Sequence, residues 1–496
     1  MNLSMLLEMT AEGAPDRVVV GSRADGVTAA GLLAGARRAA ELFKATGAER
    51  VAMLDVNSNA VPLALFGAAS AGLPFAPVNY RLTDDQLGSI LARLAPAVVV
   101  VGAEMTAPVV GVDGIEVITR DDFVAQATDG GATGQPDFVD PEAIAILLFT
   151  SGTTGEPKAA VLRHRHLTSY VISTVEFLGA DEGDAQLVSV PAYHVAGVSA
   201  ILSSVYAGRR IVYLSEFEAE RWVALAAEEA ITQAMVVPTM LGRILRTMED
   251  QARTLESLRH VSYGGGRMPR DVIERAMQQL PDVNWVNAYG LTETSSTIAV
   301  LTPDDHREAA TSADDAVRRR LGSVGRPLDT IELEIRDPDG ECCEAGVVGE
   351  IYVRGEQVAG EYVDRSVLTD DGWFRTNDAG SLDEYGFLYL DGRLDDVIVR
   401  GAENLSPGEI EDTLAEHPAV VEAAVVGIPD PEWGEAVAAA VVLEDGTSVT
   451  DAELQEWVRQ RLRSTKTPQV IQFRAELPYN ETGKLLRRVL REELRG

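Results

Sequence analysis

Short apolar runs alternate with helix-like stretches through the first two thirds of this 496-residue chain. The runs are too short for helices, and the stretches between them, such as Ala29–Phe43, carry apolar residues at helical spacing. This alternation predicts an α/β fold built on mainly parallel sheets. The clearest candidate strands are Val51–Leu54, Ala97–Val101, Ile144–Phe149, Leu187–Val190 and Ile211–Leu214.

The length of the chain predicts more than one domain, because a single hydrophobic core stops growing near about 250–300 residues. From about Leu321 shorter strand patterns indicate a small β-barrel-like section. Beyond residue 395 a compact pattern indicates a small α+β domain, with helix-capping boxes at Ser406–Glu409 and at Thr450–Glu453. We therefore predict an N-terminal domain over residues 1–391, a hinge over 392–395 and a C-terminal domain over 396–496.

Composition argues against several classes of protein. A net charge of −34 is unsuited to nucleic acid, whose backbone is bound by basic surfaces. Cys342 and Cys343, the two cysteines, form neither a disulfide framework nor a zinc-binding spacing. Val61–Val78 is uncharged, but its prolines and glycines argue against a membrane span. With no basic start for a signal peptide in Met1–Met9, we expect a cytoplasmic protein.

The apolar run that ends before Thr150 leads into a loop of glycines and hydroxyl residues, which ends at Lys158. Glycines let backbone N–H groups close around an anion, hydroxyls add donors, and lysine adds a positive charge. This composition predicts a phosphate-binding loop, although the Walker pattern Gly-x-x-x-x-Gly-Lys-[Ser/Thr] is absent. The central residues of the loop are Ser151, Gly152, Thr153, Thr154 and Gly155.

This loop resembles the signature loop of the adenylate-forming superfamily, which includes acyl-CoA synthetases, aryl-CoA ligases and beetle luciferases. Further segments resemble motifs of that family in the same order, so the resemblance covers nearly the whole chain. They are Tyr289–Thr294, Gly372–Asp378, Gly392–Ile398 and Leu477–Lys484. The resemblance implies that the chain uses ATP to activate a carboxylic acid as an acyl-adenylate. It then implies thioester formation with CoA, with release of AMP and pyrophosphate.

The implied reaction joins two anions, so the site must offset their repulsion. At about 4 Å, two like charges repel by about 4 kcal/mol in an effective dielectric of about 20. By resemblance, Glu293 is the carboxylate that holds Mg²⁺, and Thr292 contacts the α-phosphate. Lys158 belongs to the phosphate loop, and Lys484 matches the catalytic lysine that bridges the acyl carboxylate and the α-phosphate.

The resemblance also assigns nucleotide recognition. Asp378 is expected to accept hydrogen bonds from the ribose hydroxyls, and Arg393 to reach the ribose or a phosphate. Tyr289 is expected to stack on adenine. The other candidates for binding ATP and AMP, most of them in the adenine slot, are Thr150, Gly264, Gly265, Asn287, Ala288 and Gly290.

Four residues are expected near the acyl pocket. Tyr193 and His194 stand where relatives that activate amino acids usually carry Phe-Asp, whose aspartate pairs with the substrate ammonium. A fatty, aryl or other carboxylic acid is therefore favoured over an amino acid. Gly266 and Arg267 replace the alanine and proline that are usual in the family. The glycine is expected to widen the pocket, and the arginine either pairs with an anionic substrate group or lies on the surface.

Family members alternate between two orientations of the small domain, which implies a hinge at Asp395. Gly401, Ala402 and Glu403 match a Gly-Gly-Glu run implicated in thioester formation, from which Ala402 departs. The acceptor therefore stays open between CoA and a carrier-protein phosphopantetheine or another nucleophile. A non-catalytic nucleotide-binding protein and a luciferase-type oxygenase are the remaining alternatives, and self-association as a homodimer is also left open.

Overall fold

A computed structural model describes residues 1–105, 109, 111–130, 138–150, 157–400, 403–444, 446–479 and 485–495. These residues form a mixed α/β structure, with a large N-terminal part followed by a small C-terminal domain. The predicted fold class is confirmed.

The first of two large sheets is parallel at its centre and antiparallel at both edges. Its centre is built from strands that alternate with helices along the chain, which is why these strands run parallel. In spatial order its strands are Arg326–Pro327, Ser296–Leu301, Asn284–Leu291, His260–Gly264, Gln233–Val236, Ala185–Val188, Arg210–Tyr213, Val18–Val20 and Val27–Thr28.

The second large sheet has a parallel half and an antiparallel half, which meet at the strand Ile144–Thr150. In spatial order its strands are Arg365–Ser366, Glu361–Tyr362, Lys158–Arg163, Ile144–Thr150, Phe75–Pro77, Arg50–Leu54, Ala97–Val101 and Ile115–Thr119. The predicted barrel-like section is a separate antiparallel sheet of Glu332–Arg336, Gly349–Arg354, Phe374–Leu382 and Leu388–Arg393.

Helices of the N-terminal part cover the large sheets, and separate apolar clusters lie where these helices pack on the strands. The uncharged run Val61–Val78 lies in the buried helix Ala60–Ala71 and the buried strand Phe75–Pro77. The other helices are Leu3–Gly13, Ala29–Ala45, Asp84–Leu94, Arg120–Thr128, His164–Thr174, Val195–Ala207, Ala219–Glu228, Pro238–Asp250, Arg270–Gln279, Pro303–Thr311 and Asp315–Arg318. Within the described part of the chain, no helix combines the length and apolar character needed to cross a membrane.

The small domain packs three helices on a sheet of its own. The strands are Glu403–Leu405, Ile398–Arg400, Gly434–Leu443, Val420–Asp430 and Val470–Arg474. The helices are Pro407–Ala415, Asp451–Arg459 and Arg487–Leu494. Separate apolar clusters on the two faces of this sheet give the domain its own core.

Candidate active site

The two ends of the predicted phosphate loop are held together by an antiparallel pair of strands. Thr150, the last residue of one strand, lies opposite Lys158, the first residue of the next. The Thr150 hydroxyl also donates a hydrogen bond to the Lys158 carbonyl oxygen at 3.4 Å. The central loop residues, Ser151, Gly152, Thr153, Thr154 and Gly155, lie outside the described residues. Their role in binding phosphate stays a prediction.

Neighbouring parallel strands bring the predicted adenine-slot residues together. Gly264 pairs with Ala288, and a Cβ on Gly264 would lie 2.3 Å from the Ala288 carbonyl oxygen. This close approach requires glycine, as does the positive φ of +76° at Gly265. The Asn287 side chain is buried and donates to the Ser323 carbonyl oxygen at 2.9 Å. These residues lie at the carboxyl ends of parallel strands, where α/β folds bind ligands.

The strand of the adenine slot continues through Gly290 into a tight turn at Thr292–Thr294. A Cβ on Gly290 would lie 1.9 Å from the Ser296 carbonyl oxygen of the returning strand, so a side chain does not fit there. Thr292 and Glu293 are both partly buried in this turn. The turn therefore carries the predicted phosphate and metal residues directly beside the adenine slot.

Tyr289, Asp378 and Arg393 form one hydrogen-bonded cluster. The Tyr289 hydroxyl donates to Asp378 Oδ2 at 2.6 Å, and Arg393 Nε lies 3.0 Å from Asp378 Oδ1. Arg393 also donates to the Thr376 carbonyl oxygen at 2.9 Å. Burial and the Asp378 charge raise the pKa of Tyr289 well above its usual value, so the phenol keeps its proton and acts as a donor. The cluster fixes the orientation of the Asp378 carboxylate.

Glu293 has a partner that the sequence analysis missed. The Tyr362 hydroxyl donates to Glu293 Oε1, and burial raises the pKa of Tyr362, with a further contribution from the Glu293 charge. Within the described residues, no group of three or more His, Cys, Asp or Glu side chains could hold a metal by itself. Mg²⁺ is commonly bound by one or two carboxylates together with substrate phosphates, so a single carboxylate at Glu293 fits this ion.

The buried Tyr193 and the half-buried His194 lie in an aromatic group before the helix Val195–Ala207. The ring centroids of the two residues are 4.7 Å apart, and Tyr80 meets Tyr193 edge-on at 5.8 Å. Burial lowers the pKa of His194 to about 4, so the imidazole is neutral at pH 7. Within the described residues His194 Nε2 has no hydrogen-bond partner. The position therefore offers no negative charge to a substrate ammonium.

Arg267 is exposed, as the surface alternative expected, and it contacts the small domain. Its pairing with an anionic substrate group stays a prediction. Its guanidinium donates to Asp412 on a helix of that domain. A Cβ on Gly408 of the same helix would collide with the arginine, at 1.8 Å from its Nη1 atom. The neighbouring Gly266 is open, because a Cβ there would meet only Pro238, at 3.9 Å. Whether Gly266 widens an acyl pocket stays a prediction.

Because Arg267 and Asp412 join the two parts of the chain, removing either side chain should let the small domain detach from the N-terminal part more often. Both side chains are about half exposed, so the ion pair stabilises the contact between the two parts by about 0.2–1 kcal/mol. Arg267→Ala should therefore raise the rate of limited proteolysis within residues 392–396 by up to about 5-fold. Asp412→Ala should do the same, and the double variant should match either single variant. An additive effect in the double variant would show that the two residues act separately.

Several predicted residues of the hinge and small domain cannot be placed in the site. Lys484, Gly401 and Ala402 lie outside the described residues. Asp395 lies in the turn Leu394–Asp396 and Glu403 begins a strand, but the structure does not describe their side chains. The roles assigned to these residues stay predictions.

Family models cover most of the chain. Residues 7–363 match the AMP-binding enzyme family, and residues 409–484 match the C-terminal domain of AMP-binding enzymes. The chain belongs to the AMP-binding enzyme family. This membership confirms the resemblance to adenylate-forming enzymes that the motifs indicated.

Curated relatives of this AMP-binding enzyme span nearly its whole length. It is 31% identical over 486 residues to the long-chain-fatty-acid–CoA ligase FadD13 of Mycobacterium tuberculosis, covering 92% of this chain and 91% of the relative. It is 32% identical over 475 residues to the fatty acid–[acyl-carrier-protein] ligase ScoC of Streptomyces coeruleorubidus, covering 92% and 90%. ATP-bound MatB from Rhodopseudomonas palustris has a similar structure, with a TM-score of 0.88, 27% identity and coverage of 100% and 99%.

Proposed function

We propose that this enzyme converts a carboxylic acid and MgATP into an acyl-adenylate and pyrophosphate, and then transfers the acyl group to the thiol of CoA. In the first step a carboxylate oxygen attacks the α-phosphorus, and pyrophosphate leaves. In the second step the thiol sulfur attacks the acyl carbon, the bond from that carbon to the phosphate oxygen breaks, AMP leaves, and the thiol proton passes to solvent. Both steps require a site that orients the nucleotide and offsets negative charge.

The proposal is carried by the Asp378 carboxylate, which is held between Tyr289 and Arg393 beside the predicted adenine slot. A buried carboxylate is costly unless it is hydrogen-bonded, and the two hydroxyls of a ribose are suitable donors. Because the Tyr289 hydroxyl is engaged by Asp378, its ring is fixed in place and can serve as a stacking surface for adenine.

Charge near the phosphates would come from residues of both domains. Glu293 would hold Mg²⁺ together with the phosphates, and the bound ion would offset phosphate charge. Lys158 adds a positive charge at the exit of the phosphate loop, and Thr292 donates a hydrogen bond to the α-phosphate. Lys484 neutralises the charge that builds up between the acyl carboxylate and the α-phosphate in the transition state.

The aromatic group around His194 supports an acid without an amino group as substrate. An α-ammonium taken out of water needs a negative partner, and the neutral imidazole supplies none. Tyr193 and Tyr80 add ring surfaces on which apolar or aromatic groups pack well. We therefore assign the substrate to the fatty or aryl carboxylic acids.

CoA is the proposed acceptor, and a carrier-protein phosphopantetheine is the second candidate. The carrier protein is favoured by one observation, the near full-length match to a fatty acid–[acyl-carrier-protein] ligase. The reaction is placed in the cytoplasm, because an exposed Cys342 and a partly buried Cys343 fit a reducing compartment.

Pyrophosphate release tests the proposal. The enzyme is incubated with ATP and Mg²⁺ across a panel of fatty and aryl acids, with and without CoA, and a reaction without acid is the control. Release should depend on one class of acid and should rise with CoA. Release that ignores CoA but accompanies loading of a carrier protein would support the second acceptor. If ATP binds but no acid elicits release, a non-catalytic nucleotide-binding role would replace the proposal.

A further inference from the structure

Residues 359–363, here called the strap, connect the Glu293 turn with the strands that frame the phosphate loop. At the start of the strap, two backbone N–H groups donate to the Glu293 carbonyl oxygen at 2.8 and 3.0 Å. At its end, Tyr362 pairs with Ala160, and the last N–H of the strap donates to the Ala159 carbonyl oxygen at 3.1 Å. Backbone hydrogen bonds therefore tie the strap at both ends.

An ion pair fixes the strap against the phosphate-loop strands. Arg163 binds Glu361 through two parallel hydrogen bonds of 2.7 and 2.9 Å, and both side chains are only about a quarter exposed. A bidentate pair of this kind restricts orientation as well as distance. Arg163 ends the strand that begins at Lys158, so the pair joins the strap to the same strand that carries the phosphate-loop lysine.

Tyr362 follows Glu361 on a strand, and successive side chains on a strand point to opposite faces. Glu361 faces Arg163, so Tyr362 faces the other way, where its hydroxyl donates to Glu293 Oε1. Within the described residues no hydrogen bond reaches Glu293 Oε2. The tyrosine thus engages one oxygen of the carboxylate and restricts the rotation of the other.

We propose that Tyr362 is a positioning residue, which aims the Glu293 carboxylate at the Mg²⁺ of bound MgATP. This inference rests on the metal role given to Glu293 in the proposed function. The strands that flank the Glu293 turn and the strands that frame the phosphate loop belong to different sheets, and the metal must meet the carboxylate and the phosphates together. Because the strap is bonded to the strand that begins at Lys158, Tyr362 fixes the position of the Glu293 carboxylate relative to that strand. Partners of metal-binding carboxylates act in this way, and losing one typically weakens metal affinity by about 10- to 100-fold.

Tyr362→Phe tests the inference by removing one hydroxyl. ATP binding is measured by calorimetry without the acid substrate, across a range of Mg²⁺ concentrations and also without Mg²⁺. ATP affinity should increase with Mg²⁺, and the Mg²⁺ concentration at the midpoint of that increase should be about 10-fold higher in Tyr362→Phe than in the wild type. ATP affinity without Mg²⁺ should be unchanged, and kcat should recover towards the wild-type value at saturating Mg²⁺. A merely structural role would instead weaken ATP binding equally with and without Mg²⁺, which would overturn the proposal.

Two further variants make the outcome specific. Tyr206→Phe removes the same atom from a buried tyrosine that packs against Phe177, and should keep the wild-type midpoint. Glu293→Gln removes the charge of the proposed ligand and should shift the midpoint at least as far as Tyr362→Phe. If Glu293→Gln leaves the midpoint unchanged, the metal role in the proposed function fails. If Glu293→Gln shifts it but Tyr362→Phe does not, only the inference about Tyr362 fails.

Discussion

Lys484→Ala is expected to slow formation of the acyl-adenylate by about 10²–10³-fold, as loss of one group that stabilises transition-state charge does in other enzymes. The attacking carboxylate and the α-phosphate are both anionic, and their repulsion is greatest as they meet. A lysine that bridges them acts on that charge. Reaction of preformed acyl-adenylate with the thiol should continue, because this repulsion is absent from the second step.

The effect of Lys484→Ala is measured by following the two half-reactions separately. A single-turnover pyrophosphate assay reports adenylation, and synthetic acyl-adenylate mixed with CoA reports thioester formation. Lys44→Ala is the control, because Lys44 is an exposed lysine in the last turn of a helix of the N-terminal part. Near-normal adenylation in Lys484→Ala would refute the role given to this lysine, and equal loss of both half-reactions would indicate a structural defect.

The described residues that precede and follow Lys484 pair with each other. Tyr479 and Leu485 form an antiparallel bridge, and the Leu486 N–H donates to the Pro478 carbonyl oxygen at 2.8 Å. The Tyr479 hydroxyl also donates to Glu422 on a strand of the small domain. A movement of this domain would therefore carry the lysine with it, which suits delivery of the lysine for one half-reaction and its withdrawal for the other.

Much of the fold was predictable because its signals are local. Short apolar runs such as Ala97–Val101 became buried strands, since they are too short for helices and are flanked by turns. The capping box at Thr450–Glu453 formed as predicted, because its hydrogen bonds join residues only three positions apart. Motif residues such as Tyr289 and Asp378 do meet, although pattern alone gave no distance between them.

The contacts that were missed join distant parts of the chain. Tyr362 lies 69 positions from Glu293, and no periodicity links them. At Ser406 the predicted capping hydrogen bond is absent. The Ser406 hydroxyl instead donates to the Asp391 carbonyl oxygen of the N-terminal part at 3.3 Å. A distant carbonyl oxygen therefore replaced the local backbone N–H as the partner of Ser406. Sequence periodicity does not show which of two such partners a side chain takes.

Asp378→Asn is expected to weaken ATP binding by about 10- to 100-fold, because hydrogen bonds to a charged group are worth about 1.5–3 kcal/mol. The amide keeps the shape of the carboxylate, and its oxygen can still accept from Tyr289. The negative charge beside Arg393 is lost, however, and the new NH₂ group cannot accept a hydrogen bond from a ribose hydroxyl. The KM for ATP should rise, while kcat at saturating ATP should fall much less.

Calorimetric titration with ATP and the KM for ATP measure this effect, and Asp364→Asn is the control with the same change of charge at an exposed position. A nucleotide series separates ribose recognition from a general loss of structure. Wild-type enzyme should bind ATP more tightly than 2′,3′-dideoxy-ATP, and Asp378→Asn should lose most of that preference, because the partner of the hydroxyls has changed. If the preference for ATP survives in Asp378→Asn, the ribose is recognised by other residues. Asp378 would then serve only to hold Tyr289 and Arg393 in place.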